Sequence, residues 1–153
     1  MSRKLDEMDR RILGLLQRDA SLTVDDISDR VALSRNACWR RIRAMEESGV
    51  IRARVVLADP DKVGCPLEVV VQLRVATHDP GWLDRFATAI RAMPEVVGAY
   101  RMSGDLDYLL RVRVADMPAY DAFYKRMIAR VPLSDISASF VMEEIKETTA
   151  LPL

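Results

Sequence analysis

The side chains best suited to chemistry in this chain are the arginines of "SRNACWRRIR", positions 34 to 43. Arg35, Arg40, Arg41 and Arg43 fall within ten residues that hold no acid, and Asn36 sits among them. A guanidinium pairs with phosphate oxygens or with the O6 and N7 atoms of guanine, and a carboxamide pairs with adenine. Such residues at this density point to a polyanion that also displays base edges. Arg52 and Arg54 extend the cluster, so six arginines fall between positions 34 and 54, against Glu46 and Glu47. The competing reading is a solvated basic helix face.

Other chemistries lack their residues. His78 is the single histidine and lies in the turn-like "THDPG". Cys38 and Cys65 are 27 positions apart, with no CxxC and no Cys/His cluster. That spacing argues against a zinc site or a disulfide framework and fits a reducing cytoplasm. No phosphate loop and no convincing pair of catalytic carboxylates stands out. We therefore expect no enzyme, no metal and no cofactor.

The totals leave a nucleic-acid partner open. The 153 residues hold 23 Lys+Arg and 23 Asp+Glu, and half are hydrophobic. Residues 1–60 carry 12 basic and 10 acidic side chains, while 61–153 carry 11 and 13. One basic face suffices even when the whole is neutral. No apolar run approaches the ~18 residues of a membrane span, and "MSRKLDEMDRR" has no apolar signal region.

Three short helices are expected to carry the arginines. Asp6 is a good N-cap for a helix with Met8, Ile12, Leu15 and Leu16 on one stripe. Thr23 caps a second, with Asp26 three residues on and Ile27 and Val31 inward. After the brief "ALS", Ser34 caps a third that runs to Gly49, a residue suited to the left-handed stop. This is a helix-turn-helix layout. At ~100° per residue, Cys38, Ile42 and Met45 of the third helix face the core, Cys38 as a small apolar residue. Asn36, Arg40, Arg43 and Glu47 face away, with Trp39 on the flank, where packing and base contact both remain open. The outward side chains suit a major groove. Arg35 and Arg41 are placed nearer the rim, where phosphates run, with Ser34 and the helix N-terminus by a phosphate. "VIRARVVLADP" reads as a strand that sets Arg52 and Arg54 on one face, beside the DNA backbone.

The second half alternates between strands and helices. Leu67, Val69, Val71, Leu73 and Val75 share one strand face. "HDPGW" opens a helix with Leu83, Phe86, Ala87, Ile90 and Met93 inward, ending at Pro94. "VVGAYRMS" and "YLLRVRV" are strands around the turn "GDLD". A second helix carries Tyr120, Phe123, Tyr124, Met127, Ile128 and Val131 and stops at Pro132; "DISASFVMEEIK" is the last strand. The expected fold class is α+β: an N-terminal helix-turn-helix domain at 1–50, a strand and linker at 51–64, and a C-terminal ferredoxin-like βαββαβ domain at 65–153. Both helices should cover one sheet face. The other mixes Val70, Leu109, Val141 and Ile145 with charge, which suggests a second copy of the chain.

These segments resemble the Lrp/AsnC family of feast/famine transcription regulators. The likeness runs through "LDEMDRRILGLLQRDASLTVDDISDRVALSRNACWRRIRAMEESGVI", "MPEVVGAYRMSGDLDYLLRVRVADM" and "FVMEEIKETTALPL". It implies sequence-specific binding of double-stranded DNA under control of a small amino acid, by homodimers that assemble further, often to octamers. The family's effector loop matches Gly104, Asp105, Leu106 and Asp107, preceded by Tyr100, Met102 and Ser103; Phe140, with Val141 and Met142, matches the last strand near that site. Carboxylates there would accept from an ammonium group and exposed N–H groups would donate to a carboxylate, although "GDLD" is also an ordinary hairpin turn. Residues 93–151 are most similar to the branch that answers to cysteine. The alternative is a small-molecule-binding assembly module without specific DNA readout.

Overall fold

A computed structural model describes residues 4–75, 79–131 and 133–153; the readings made at His78 and Pro132 lie outside them. The chain divides into two compact units. One is Met1–Leu57 together with Lys146–Leu153, and the other is Ala58–Ile145.

The first unit holds α1 (Glu7–Arg18), α2 (Val24–Val31) and α3 (Arg35–Glu47). Local chemistry sets each start. The Asp6 carboxylate accepts from the Asp9 N–H at 2.8 Å, and Asp9 answers toward the Asp6 N–H, closing a capping box. Thr23 and Asp26 form a second box on α2, and Ser34 Oγ accepts from the Ala37 N–H at 3.2 Å on α3. The turn between α2 and α3 runs through Ala32 in the left-handed region (φ 55°), and the Leu33 N–H donates to Ser28 O at 3.1 Å. Gly49, at φ 73°, follows the end of α3. Ile12, Leu16, Ile27, Val31, Cys38, Ile42 and Met45 form the shared core, as expected for α2 and α3; of the α1 stripe, Leu15 is only packed against this core and Met8 is half-buried outside it.

After α3 the expectation of a strand fails. Residues 52–59 form no regular element, and Val55, Val56 and Leu57 are exposed, Val56 at 95%. A strand is stable only with a neighbour to take its N–H and C=O groups, and none of the four described strands pairs here.

The second unit holds β1 (Leu67–Arg74), α4 (Pro80–Arg91), β2 (Val96–Arg101), β3 (Tyr108–Val114), α5 (Met117–Arg130) and β4 (Asp135–Phe140). The strands form one antiparallel sheet in the order β2-β3-β1-β4. This is the ferredoxin-like order, and the α+β expectation holds. Val69, Val71 and Leu73 of β1 and Tyr108, Leu110, Val112 and Val114 of β3 pack on Phe86, Ile90, Phe123 and Met127 of the two helices. Trp82 joins that core inside α4, stacked on Phe86 at 5.0 Å, where the sequence reading had put it in the opening turn. Ile128 departs from its expected inward place and is 43% exposed. The last strand is also shorter than expected. Phe140 pairs with Val69, and the Val141 N–H still reaches Glu68 O. Two residues on, the register would set Glu143 opposite Pro66, which has no N–H to donate.

On the uncovered sheet face, Glu68 is almost fully buried between Arg111 and Arg113, with N–O distances of 2.8 and 2.5 Å. No described helix is long and apolar enough to cross a membrane.

Candidate functional site

The basic cluster resolves into side chains with different tasks. Arg35 pairs with Asp25 of α2 at 2.9 Å, both exposed. Arg43 spans toward Glu46 at 4.0 Å and Glu47 at 3.6 Å, with its guanidinium 5.9 Å from the centre of the Trp39 ring. Trp39 is 53% exposed, so its ring is not core, and its visible partner is that arginine. Arg54 meets Glu46 at 3.3 Å. Arg40 and Arg52 are exposed and, among the described residues, make no ion pair; Asn36 is exposed beside them. All the surface pairs are weak in water and exchange readily for phosphate.

Arg41 departs from its expected place at the rim. Its Nη1 donates to Asp6 Oδ2 at 2.6 Å and to Asp9 Oδ1 at 2.8 Å, tying α3 to the start of α1. Asp9 is 1% exposed, so this is an interior contact. The Asp9 N–H, then Arg41, hold the Asp6 carboxyl below the usual range, and the two carboxylates push Arg41 further up. Asp9 escaped the sequence reading, though its signal was present: Asp6-x-x-Asp9 has capping-box spacing. Cys38 is fully buried, and burial pushes its thiol up, as suits an inert core residue.

Helices α1 and α2 place their own acids in the first turn, whereas α3 has none. Its N-terminal partial charge is therefore not offset by an acid of its own first turn.

The second candidate site is the hairpin between β2 and β3. The Met102 N–H donates to Asp107 O at 2.8 Å, and Gly104 adopts φ 121°. The loop is stapled to the end of β1. Asp107 Oδ2 accepts from the Val75 N–H at 2.8 Å, the Asp107 N–H donates to Leu73 O at 3.1 Å, and Arg74 Nε donates to Asp105 O at 3.0 Å. Asp107 thus braces the sheet, and Arg74 braces the loop. Ser103, Gly104 and Asp105 are exposed and Leu106 is half-buried. Tyr100 and Met102 are exposed at 51% and 42%, and the Tyr100 ring lies back over Gly98.

Phe140 is not brought to this loop within one chain. It pairs with Val69, whereas the loop adjoins Leu73 through Tyr108, so the two lie at opposite ends of the sheet. Its ring meets Tyr120 edge-on at 5.3 Å on the helix-covered side.

Comparison with known proteins fits this geometry. Residues 5–52 match the winged helix-turn-helix DNA-binding family, and residues 68–151 match the Lrp/AsnC ligand binding domain. The chain is 50% identical to the glutamate uptake regulatory protein of Zymomonas mobilis over 153 residues, which is all of this chain and 93% of that protein. A solved AsnC family transcriptional regulator from Agrobacterium tumefaciens is 55% identical at a TM-score of 0.94, covering 97% of each chain. A transcriptional regulator from Neisseria meningitidis, solved in complex with L-Met, is 34% identical at a TM-score of 0.93, again over 97% of each. With a helix-turn-helix that presents arginines and a ligand-binding domain built on a ferredoxin-like sheet, the chain belongs to the Lrp/AsnC family and is a DNA-binding transcription regulator, not an enzyme.

Proposed function

We propose that α3 enters the major groove of double-stranded DNA and that an amino acid bound at residues 103–107 tunes this binding. The observation that carries the first part is the outward stripe of α3: Asn36 and Arg40 are exposed, and Arg40 has no ion pair among the described residues. These two read bases, with Arg43 beside them and Trp39 shaping its approach. Arg35, Arg52, Arg54 and the N-terminus of α3 at Ser34 hold phosphates.

For the effector, Asp105 is the better ammonium partner, since Asp107 is spent on the Val75 N–H. The exposed backbone at Ser103 and Gly104 offers N–H groups to a carboxylate. Phe140 contributes only from another copy of the chain. The resemblance of residues 93–151 makes cysteine the first effector to try, with glutamate and methionine, named for relatives, as competitors.

A single recognition helix touches few base pairs, and a two-fold pair on half-sites one turn apart repairs this. The exposed apolar side chains of Val141, Met142 and Ile145 favour such a homodimer, and further assembly to an octamer. Two free cysteines suit the cytoplasm, where the DNA is. The test is a gel shift on the DNA upstream of the gene itself, with and without each amino acid. Retarded bands that respond to one amino acid support the reading; no preference for that DNA over random duplex overturns it.

A further inference from the structure

We infer that Arg41 is a positioning residue for DNA recognition, holding α3 in register on α1 through Asp6 and Asp9 rather than touching a phosphate. The inference rests on the reading of α3 as the DNA-contacting helix. Two observations carry it. One guanidinium nitrogen bridges both carboxylates, at 2.6 and 2.8 Å. The Asp9 side chain is 2% exposed, against 30% for that of Arg41, so the Asp9 half of the bridge is shielded from competing salt, while Asp6 is more open. The same two acids are locked to each other by the capping box, which fixes them on the first turn of α1. Arg41 thereby sets how far α3 rolls on its core stripe, and that roll decides whether Asn36 and Arg40 point into a groove.

The roles separate by salt dependence and by sign. A lost phosphate contact flattens the dependence of log K on log salt by about 0.9, whereas a lost positioning contact leaves that slope alone. Removing a negative charge from a DNA-binding unit tightens binding if charge alone matters. Affinities of the full chain for its own upstream site and for a random duplex would be measured by anisotropy across a salt series. Circular dichroism would confirm that each variant is folded at the working temperature. We expect Arg41→Gln to weaken the specific site about tenfold, well beyond its effect on random duplex, at unchanged slope. Asp9→Asn should weaken it too, although it removes a negative charge. Arg35→Gln, as the control, should flatten the slope. The double variant Asp9→Leu with Arg41→Met replaces the buried ion pair by apolar contact and should recover most of the affinity. If Arg41→Gln flattens the slope by one contact, or if Asp9→Asn binds as tightly as wild type or tighter, the inference is overturned. Should Arg41→Gln not fold, Asp9→Asn and the double variant decide the matter. If Arg35→Gln and Arg40→Ala also leave DNA binding untouched, it is the reading of α3 that fails, and the inference falls with it.

Discussion

Among the described residues, the charged ends of Arg40 and Asp105 are not used by the fold. Arg40 has no ion pair among the described residues. Arg40→Ala should therefore cost about 1–3 kcal/mol on the specific site and little on random duplex, as read by competition gel shift. Equal weakening of both would make it a phosphate contact. At the hairpin, Asp105→Ala should weaken effector binding by about 1–3 kcal/mol in isothermal titration, whereas Asp107→Ala should lower thermal stability, because it strips the Val75 N–H of its acceptor. Gly104 carries a separate expectation. A Cβ there meets nothing within 4 Å, so the obstacle to a side chain is the left-handed backbone and not crowding. Gly104→Val should then distort the loop and abolish the effector response in a gel shift, while the first unit's DNA affinity is unchanged. Of these assignments, the outward stripe of α3 was legible in the wheel. The wheel sets Arg41 off that stripe, where the sequence alone reads a phosphate contact. What it cannot supply is the partner, because Asp9 lies 32 positions away and only packing brings the two together.

The caps of the first unit decide its behaviour in acid. Asp6, Asp19 and Asp26 all titrate below the usual carboxylate range, and the leading causes are the Asp9 N–H for Asp6 and the hydroxyls of Ser21 and Thr23 for the other two. A carboxyl whose folded value is depressed adds stability that is full above the unfolded value, near 4, and is lost as pH falls through the folded one. The melting temperature should hold down to about pH 5 and then drop toward pH 3. Asp6→Asn should start lower and flatten that decline; an unchanged acid limb in the variant would exclude Asp6 as a contributor. Helix boundaries were readable to within a residue or two because caps are local chemistry. Strand ends were not, since Pro66, which closes the β4 ladder, sits 75 positions before Val141 in the chain. The segment after α3 has the alternation of a strand, but alternation states only that a face exists and not that a partner is present.

At the scale of the whole molecule, the uncovered sheet face and the exposed Val55, Val56, Met142 and Ile145 leave the single chain with unfinished surface. Light scattering should return at least twice 17.3 kDa at micromolar concentration, and a mass equal to one chain would remove the two-fold model of DNA binding. The tail adds a further element. The Leu151 N–H donates to Gln17 Oε1 at 2.7 Å and Gln17 Nε2 donates to Leu151 O at 3.2 Å, so the side chain on α1 holds the backbone near the C-terminus by both of its amide atoms. Gln17→Leu should speed amide hydrogen exchange at Leu151, and equal protection would show that the clamp is not populated. With the tail so held, the ligand-binding unit is topologically an insertion: residues 58–145 interrupt a host whose two pieces are Met1–Leu57 and Lys146–Leu153. An inserted domain acts on its host as a tether whose ends are a fixed or a fluctuating distance apart. A ligand that stiffens it narrows that distribution and changes the entropy of closing the host, even if no atom of the host moves on average. Effector binding would then register as a change in the melting of the first unit, with no DNA present.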